Sequence, residues 1–259
     1  RRARPMRPRP QLVAGARGPR SAGDPRQVDD AEFLRLRPPS DVRITTPDTW
    51  VDLDLGSGRV DRDIARAVRR RVRRFPQLAP HAGAITGMLR SQTAEAAAAG
   101  GRLVSLLSEP AGATILSASM TVSSAPALRP GEVLTAAGMA AELRARHGLA
   151  APAARGPGAL PARTGVPTPG FPTVTLVRLA QCGAARVAVI ERAGPDLPAC
   201  LLVEYHVPAP SSTARTVVSF STPALSLAAE MAWVFDLVAS SFHYVWREES
   251  SGRSAARMT

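Results

Sequence analysis

The chain has 259 residues, 45% of them hydrophobic and 21% charged, so it is long enough for one large or two small globular domains and too apolar to be disordered throughout. Its formal net charge is +12, and all 33 basic residues are arginine, because the sequence contains no lysine. This absence excludes P-loop phosphate binding, the protein-kinase lysine, pyridoxal Schiff-base chemistry and a Ser-Lys catalytic dyad.

The first 26 residues combine eight arginines, one acid and closely spaced prolines, a composition typical of disordered chain. Their longest apolar run, residues 12–16, is shorter than the about 7–15 apolar residues of a signal peptide. We therefore expect residues 1–40 to be a disordered extension, and residues 248–259 to be a disordered tail. We expect translation to start at Met6 or, through a GTG start codon, at Val28 or Val42.

Apolar spacing then predicts short strands, two helices, a hairpin and a third helix. In the first helix Ile64, Val68 and Val72 recur at helical spacing, and Pro76 ends it. The predicted elements are strands Val42–Thr46 and Trp50–Leu55, helices Asp61–Arg74 and Gly83–Ala99, hairpin strands Leu103–Leu107 and Thr114–Val122, and a helix from Pro130 to Gly148.

The second half of the chain begins with a break. Residues 149–172 contain six prolines and four glycines, which excludes a helix or an inner strand. Four strands in sequential hairpins then predict an antiparallel meander, followed by a strongly apolar helix. These elements are Thr173–Leu179, Arg186–Arg192, Leu201–Val207, Ala214–Phe220 and the helix from Ser226 to about Trp246. Alternation along the last two strands places Val203, Tyr205 and Val207 on one face, and likewise Thr216, Val218 and Phe220.

This order of elements predicts an α+β fold. Sequential hairpins with helices before and after them are typical of a single domain in which a twisted antiparallel sheet carries helices packed on its faces. We expect the domain to cover residues 41–247. The Pro/Gly-rich segment 149–172 would be an internal loop, either a flap or a linker.

Residues 203–244 read VEYHVPAPSSTARTVVSFSTPALSLAAEMAWVFDLVASSFHY, that is strand, short turn, strand, the segment S-F-S-T-P, and an amphipathic helix with a Phe-Asp pair. This segment resembles the closing unit of the PsbP-like superfamily, to which the LpqN-type actinobacterial lipoproteins belong. The resemblance implies a binding or assembly protein without shared catalytic machinery, so it assigns no catalytic residue. It does not extend to lipoprotein anchoring, because no lipidation cysteine stands near residue 1.

The strongest functional feature is the arginine-rich helix 61–74. Residues 1–26 carry +7 and residues 59–74 carry +6 of the total of +12, which leaves −1 for the rest of the chain. Such a helix can hold phosphates of nucleic acid or of anionic lipid, or it can be a solvated face in a chain whose GC-rich gene encodes arginine for every basic residue. The candidate anion-binding residues are Arg62, Arg66, Arg69, Arg70, Arg73 and Arg74.

Four aspartates near this helix offer an alternative metal site. Asp52 and Asp54 share a strand face, and Asp61 and Asp63 follow a glycine turn. Carboxylates in such a cluster suit a hard cation such as Ca²⁺. The loop departs from the EF-hand pattern, because Gly56 stands at a ligand position and no glutamate closes it. We therefore expect no metal, and interpret Asp61 and Asp63 as acids that oppose the helix dipole.

One acid/base pair is available for catalysis. Glu204 and His206 fall on the same face of a predicted strand, with Cys182 or Cys200 as the candidate nucleophile. The sequence has no GxSxG elbow and no HExxH motif, so a hydrolase is the third-ranked interpretation. Asp236 on the apolar last helix must be paired or neutral if buried, and pairing with an arginine or a backbone group is favoured over a catalytic role.

The two cysteines stand at opposite ends of a predicted strand, about 25 Å apart at ~3.3 Å per residue, which is too far for a disulfide. Two thiols, and no apolar run near the ~18 residues of a membrane span, favour a cytoplasmic chain.

The preferred function is a non-enzymatic interaction or assembly domain for a protein partner. The alternative is a non-specific anion binder that acts on nucleic acid or an anionic membrane surface. No cofactor is expected.

Overall fold

The computed structural model describes residues 30–111, 114–127, 134–150, 172–192 and 198–246. Of the segments expected to lack regular structure, residues 1–29, 151–171 and 247–259 lie outside the described residues. The predictions of disorder for the two ends of the chain and of a flap or linker at 149–172 therefore remain predictions over those parts.

Five α-helices, two short 3-10 helices (Pro76–His81 and Leu225–Leu227) and nine strands form within the described ranges. The α-helices are α1 (Asp30–Leu34), α2 (Val60–Arg74), α3 (Ala82–Ala98), α4 (Ala136–Arg146) and α5 (Ala228–Ser240). The strands are β1 (Asp41–Arg43), β2 (Trp50–Asp54), β3 (Gly101–Ala111), β4 (Thr114–Ala125), β5 (Thr173–Arg178), β6 (Gly183–Arg192), β7 (Ala199–Pro208), β8 (Arg215–Thr222) and β9 (His243–Val245). None of the described helices is both long enough and apolar enough to cross a membrane.

Seven strands form one antiparallel sheet in the order β2-β3-β4-β8-β7-β6-β5, which confirms the predicted α+β fold. The meander β5 to β8 is the one that the sequence predicts. Its last strand pairs with β4, where Met120 is opposite Phe220, so the hairpin β3–β4 and the meander belong to one sheet. The outer strands of the sheet are β2 and β5.

The larger core lies between the sheet and α5. Phe235 of α5 is fully buried and stacks on Phe220 of β8, with the ring centroids 4.8 Å apart. Trp50 and Tyr205 meet the Phe220 ring edge-on. The residues that sequence alternation assigned to one face of β7 and β8 are all buried: Val203, Tyr205, Val207, Thr216, Val218 and Phe220.

Helices cover the two ends of the opposite face. Ile64 and Val68 of α2 pack with Leu53 over β2 and β3, and Leu143 of α4 packs with Val187 over β5 and β6. Between these helices, four half-buried hydroxyl side chains point outward from β4 and β8: Ser119, Thr121, Ser219 and Ser221. A partly solvated face of this kind is typical of antiparallel sheets.

The expected start of the ordered domain at residue 41 is wrong. Phe33 of α1 is only 1% exposed, and its ring centroid lies 6.0 Å from that of Tyr244. The indole Nε1 of Trp246 donates to the carbonyl oxygen of Arg37, 209 positions earlier in the chain, at 2.8 Å. Because these partners come from the far end of the chain, the local Arg/Pro-rich composition gives no sign that residues 30–40 are packed.

The last helix is shorter than predicted. The hydroxyls of Ser240 and Ser241 donate to carbonyl oxygens of the preceding turn, and the helix ends there. Val245 continues the apolar spacing of α5, which is why the sequence predicts helix to Trp246. It lies instead in β9, which pairs antiparallel with β1.

Two other predicted boundaries are wrong. The third helix begins at Ala136, because the Thr135 side chain caps it by accepting a hydrogen bond from the backbone N–H of Gly138 at 3.0 Å. Pro130 itself lies outside the described residues. The arms of the β3–β4 hairpin are longer than predicted, since Ala111 and Thr114 still pair.

Candidate functional site

α2 presents opposite faces to the core and to solvent. Ile64 and Val68 are buried, and the helical period of about 3.6 residues places positions 62, 66, 70 and 73 on the opposite side, with 69 and 74 on its flanks. Arg62 and Arg73 lie about 16 Å apart along the axis at ~1.5 Å per residue. The six arginines that the sequence singles out are all exposed and form what we call the arginine face: Arg62, Arg66, Arg69, Arg70, Arg73 and Arg74.

Only part of the arginine face is neutralised within the described chain. Arg66 pairs with Asp63 at 3.3 Å, and Arg74 lies 3.6 Å from Glu109. No hydrogen bond or ion pair joins the other four side chains to any described residue: Arg62, Arg69, Arg70 and Arg73. These four guanidinium groups are therefore the ones available to an external anion.

Arg71 has a structural role that its position in the arginine run does not reveal. Its Nη1 donates to the Glu109 carboxylate at 2.7 Å, and its guanidinium lies 4.9 Å from the Phe75 ring centroid. Arg74 lies over the same ring at 5.3 Å. These contacts hold the C-terminal turn of α2 against β3, where cations also interact favourably with the helix dipole.

A polar cleft of about 370 Å³ lies between α2 and the edge strand β2. Arg66 and Arg70 line it from α2, together with Asp63, and Asp48 and Asp52 line it from the opposite side. Charges of both signs therefore face each other across the cleft. The sequence did not indicate this cleft, because the segment 46–48 and α2 meet only in the tertiary structure.

The four aspartates considered for a metal site each have a separate partner. Asp52 accepts hydrogen bonds from Ser105 and from Thr46, the latter at 2.9 Å. Asp61 accepts from Arg90 Nε at 2.7 Å. Asp54 accepts a hydrogen bond from the backbone N–H of Gly56, and Asp63 forms an ion pair with Arg66. No group of three or more metal-ligating side chains occurs within the part of the chain that the structure describes.

Glu204 and His206 meet on the face of the sheet that also carries α2 and α4, as their spacing predicts. His206 Nε2 lies 3.2 Å from Glu204 Oε2, and Arg215 Nε donates to His206 Nδ1 at 3.2 Å. With Nδ1 as the acceptor, His206 donates its Nε2 proton to the glutamate. Ser219 Oγ donates to the other carboxylate oxygen at 3.1 Å.

This cluster is arranged around a carboxylate and not around a nucleophile. The hydrogen bond from His206 holds the pKa of Glu204 below its ordinary value, against the opposing effect of burial, with further help from Ser219 and Arg215. A carboxylate of lowered pKa is a weak general base. Cys182 belongs to the core on the α5 face, and Cys200 lies about 13 Å along β7 from Glu204 at ~3.3 Å per residue. The proposed cysteine nucleophile beside this pair is therefore wrong.

The variant Glu204→Gln should reveal how the buried carboxylate contributes to stability. A lowered pKa means that folding favours the ionised form, so the contribution is full above the ordinary value of 4.5 and falls as the pH drops through the folded-state pKa. We expect the variant to lose about 1–2 kcal/mol at neutral pH. The difference from the native chain should shrink below pH 4.5.

Urea denaturation at a series of pH values measures this difference. The control is Glu191→Gln, since Glu191 is exposed at the end of β6 and has no ion pair or hydrogen bond to a described residue. A difference between Glu204→Gln and the native chain that stays constant from neutral to acidic pH would contradict the prediction.

Asp236 is paired, as the sequence favours. Arg186 Nε donates to Asp236 Oδ1 at 2.7 Å, and the hydroxyl of Tyr205 donates to the same oxygen. Burial and the negative charge of Asp236 raise the pKa of Tyr205, so its hydroxyl keeps its proton. Which arginine serves as the partner was not visible in the sequence, because β6 and α5 are 50 residues apart.

Comparison with protein-family models, with curated proteins and with solved structures gives no match to this chain. The resemblance of residues 203–244 to the PsbP-like superfamily therefore remains a prediction. The fold itself shows an α+β domain with an arginine-rich helix on its surface.

Proposed function

We propose that this chain is an interaction domain that docks onto an acidic surface of a protein partner through the arginine face. The observation that carries the proposal is the set of four exposed guanidinium groups without an acidic partner among the described residues: Arg62, Arg69, Arg70 and Arg73. Unneutralised charge on one face attracts surfaces of opposite sign and speeds their association.

The acids beside this face favour a protein over a nucleic acid. Asp48, Asp52 and Asp63 line the cleft next to Arg66 and Arg70. A phosphate backbone presents only negative charge and would be repelled by these carboxylates, whereas a protein surface can offer them basic side chains. Binding of single strands also relies on exposed aromatic rings for base stacking. α2 has no aromatic residue, and the half-buried Phe75 that follows it is covered by Arg71 and Arg74.

Two further points support a binding role inside the cell. The resemblance to the PsbP-like superfamily points to binding or assembly. Cys182 and Cys200 are both thiols, which suits a reducing compartment such as the cytoplasm.

The test is binding of the full chain to three fluorescent probes at low and high salt: a glutamate-rich peptide, a DNA duplex and vesicles containing phosphatidylserine. We expect the peptide to bind best and to dissociate as salt rises. In the variant Arg69→Glu/Arg70→Glu/Arg73→Glu, peptide affinity should fall about tenfold or more, because three exposed ion pairs of about 0.5 kcal/mol each amount to that factor.

The matched control is Arg43→Glu/Arg102→Glu/Arg192→Glu, which changes the net charge equally at exposed arginines outside α2. Circular dichroism should show both variants folded. An equal loss of peptide binding in the control would contradict a specific role for the arginine face. Tighter binding to DNA or vesicles than to the peptide, lost only in the α2 variant, would favour the anion-binding function instead.

A further inference from the structure

Arg186 of β6 is 1% exposed, yet most of its hydrogen-bonding capacity is unused. Its guanidinium group has five N–H donors. Nε donates to Asp236 at 2.7 Å, and the guanidinium group also lies beside the Tyr205 hydroxyl, whereas Nη1 and Nη2 make no hydrogen bond of ordinary geometry to any described residue. The buried Oγ1 of Thr175 has none there either. Since buried polar groups in folded proteins are nearly always satisfied, three such atoms together indicate a missing acceptor.

The register of the sheet places these atoms side by side. Thr175 of the edge strand β5 is directly opposite Arg186. Directly opposite residues point to the same face, with their Cβ atoms about 5 Å apart. That face is the α5 face, because Arg186 meets Asp236 of α5 on it. The neighbouring side chains of β6 on this face, Ala184 and Ala188, have no polar atom that could serve as the acceptor.

The chemistry of the donors specifies the acceptor. The Nη1 and Nη2 groups form a planar fork that matches the two oxygens of a carboxylate, and the Thr175 hydroxyl adds one further donor. Asp236 accepts from Nε of the guanidinium group, so the Nη1/Nη2 edge can accept one further negative charge, whereas a second charge would be opposed by both Asp236 and the first. A dianion such as phosphate would therefore bind less well than a monoanion.

We propose that Arg186 Nη1 and Nη2, together with Thr175 Oγ1, form a binding site for the carboxylate group of a small monoanionic ligand. The site lies beneath the outer strand of the sheet, since β5 pairs only with β6 among the described strands. It is on the opposite face of the sheet from α2 and does not depend on the arginine face. Asp236 and Tyr205 position the guanidinium group from the α5 side.

Acetate is the probe for the test, with the full chain at neutral pH. Acetate replaces chloride at constant ionic strength, and the melting temperature and saturation transfer to the acetate methyl protons are recorded. We expect a saturable rise in melting temperature, as for a ligand that binds only the folded state. Thr175→Val has the same shape without the hydroxyl, and its affinity for acetate should fall about tenfold for the loss of one hydrogen bond to a charged group.

Thr175→Val also shows whether the Thr175 hydroxyl binds the ligand or is simply a buried group without a hydrogen bond. Without acetate, the variant should be at least as stable as the native chain, because it removes a buried polar atom that has no partner. Thr173→Val, on the same face of β5, is the control and should keep the full response. The proposal is overturned if chloride and acetate give the same melting temperatures, if Thr175→Val responds like the native chain, or if neutral acetamide acts as strongly as acetate.

Discussion

Replacing Phe235 with alanine is expected to destabilise the domain by about 3–5 kcal/mol, the usual cost of removing a fully buried aromatic side chain. The Phe235 ring is 0% exposed and lies 4.8 Å from the Phe220 ring at an angle of 21°. The substitution therefore removes buried apolar area, the stacking contact and the support of the central strand β8. Because this packing lies between the sheet and α5, the neighbours cannot close the cavity without moving the helix.

Urea denaturation of the native chain and the variant measures the effect, with equal slopes showing that the compactness of the two states is unchanged. The matched control is Leu237→Ala on the same helix, since Leu237 is 57% exposed and its removal should cost less than about 1 kcal/mol. Equal losses in the two variants would mean that α5 does not pack on the sheet as described.

Replacing Asp236 with alanine should be about as costly, roughly 3–5 kcal/mol, because it leaves the Arg186 guanidinium buried without its counter-charge. Arg186 is 1% exposed, and Asp236 accepts its Nε hydrogen bond at 2.7 Å. The Tyr205 hydroxyl loses its acceptor at the same time. Asp236→Asn should lose less than Asp236→Ala, since the amide oxygen can still accept one of these bonds.

A combined variant shows whether the cost lies in the unpaired charge or in the shape of the site. Arg186→Met/Tyr205→Phe/Asp236→Leu removes all three polar groups together, and we expect it to recover most of the stability that Asp236→Ala loses. Thermal unfolding of the three variants under the same conditions makes the comparison. If the triple variant is less stable than Asp236→Ala, the three polar groups together stabilise the fold more than apolar side chains of similar size do, contrary to this expectation.

Much of the fold could be predicted, because its elements follow local patterns. Alternation in β7 and β8 identified their buried face, and the helical spacing of Ile64 and Val68 identified the inner face of α2. The six residues of the arginine face follow from the same period, since an inner face defines an outer one. Glu204 and His206 also fall on one face by strand geometry alone, and they are 3.2 Å apart.

The predictions from sequence are wrong where the structure of one segment depends on contacts with a distant segment. Phe33 is packed because Tyr244 lies against it, and β9 is a strand because β1 pairs with it. Neither partner is within reach of a local window. The composition of residues 30–40 therefore predicts disorder, and the apolar spacing of residues 241–246 predicts helix.

The sequence by itself determined the α+β class, the antiparallel meander and the arginine face, because hydrophobic period and turn residues act over a few positions. Only the tertiary structure decided which charges are neutralised. Arg71 meets Glu109 on β3, Arg186 meets Asp236 on α5, and four arginines of α2 meet no acid among the described residues. Charge pairing depends on distances through space between separate elements, and those distances are set only when the sheet register and the helix packing are complete.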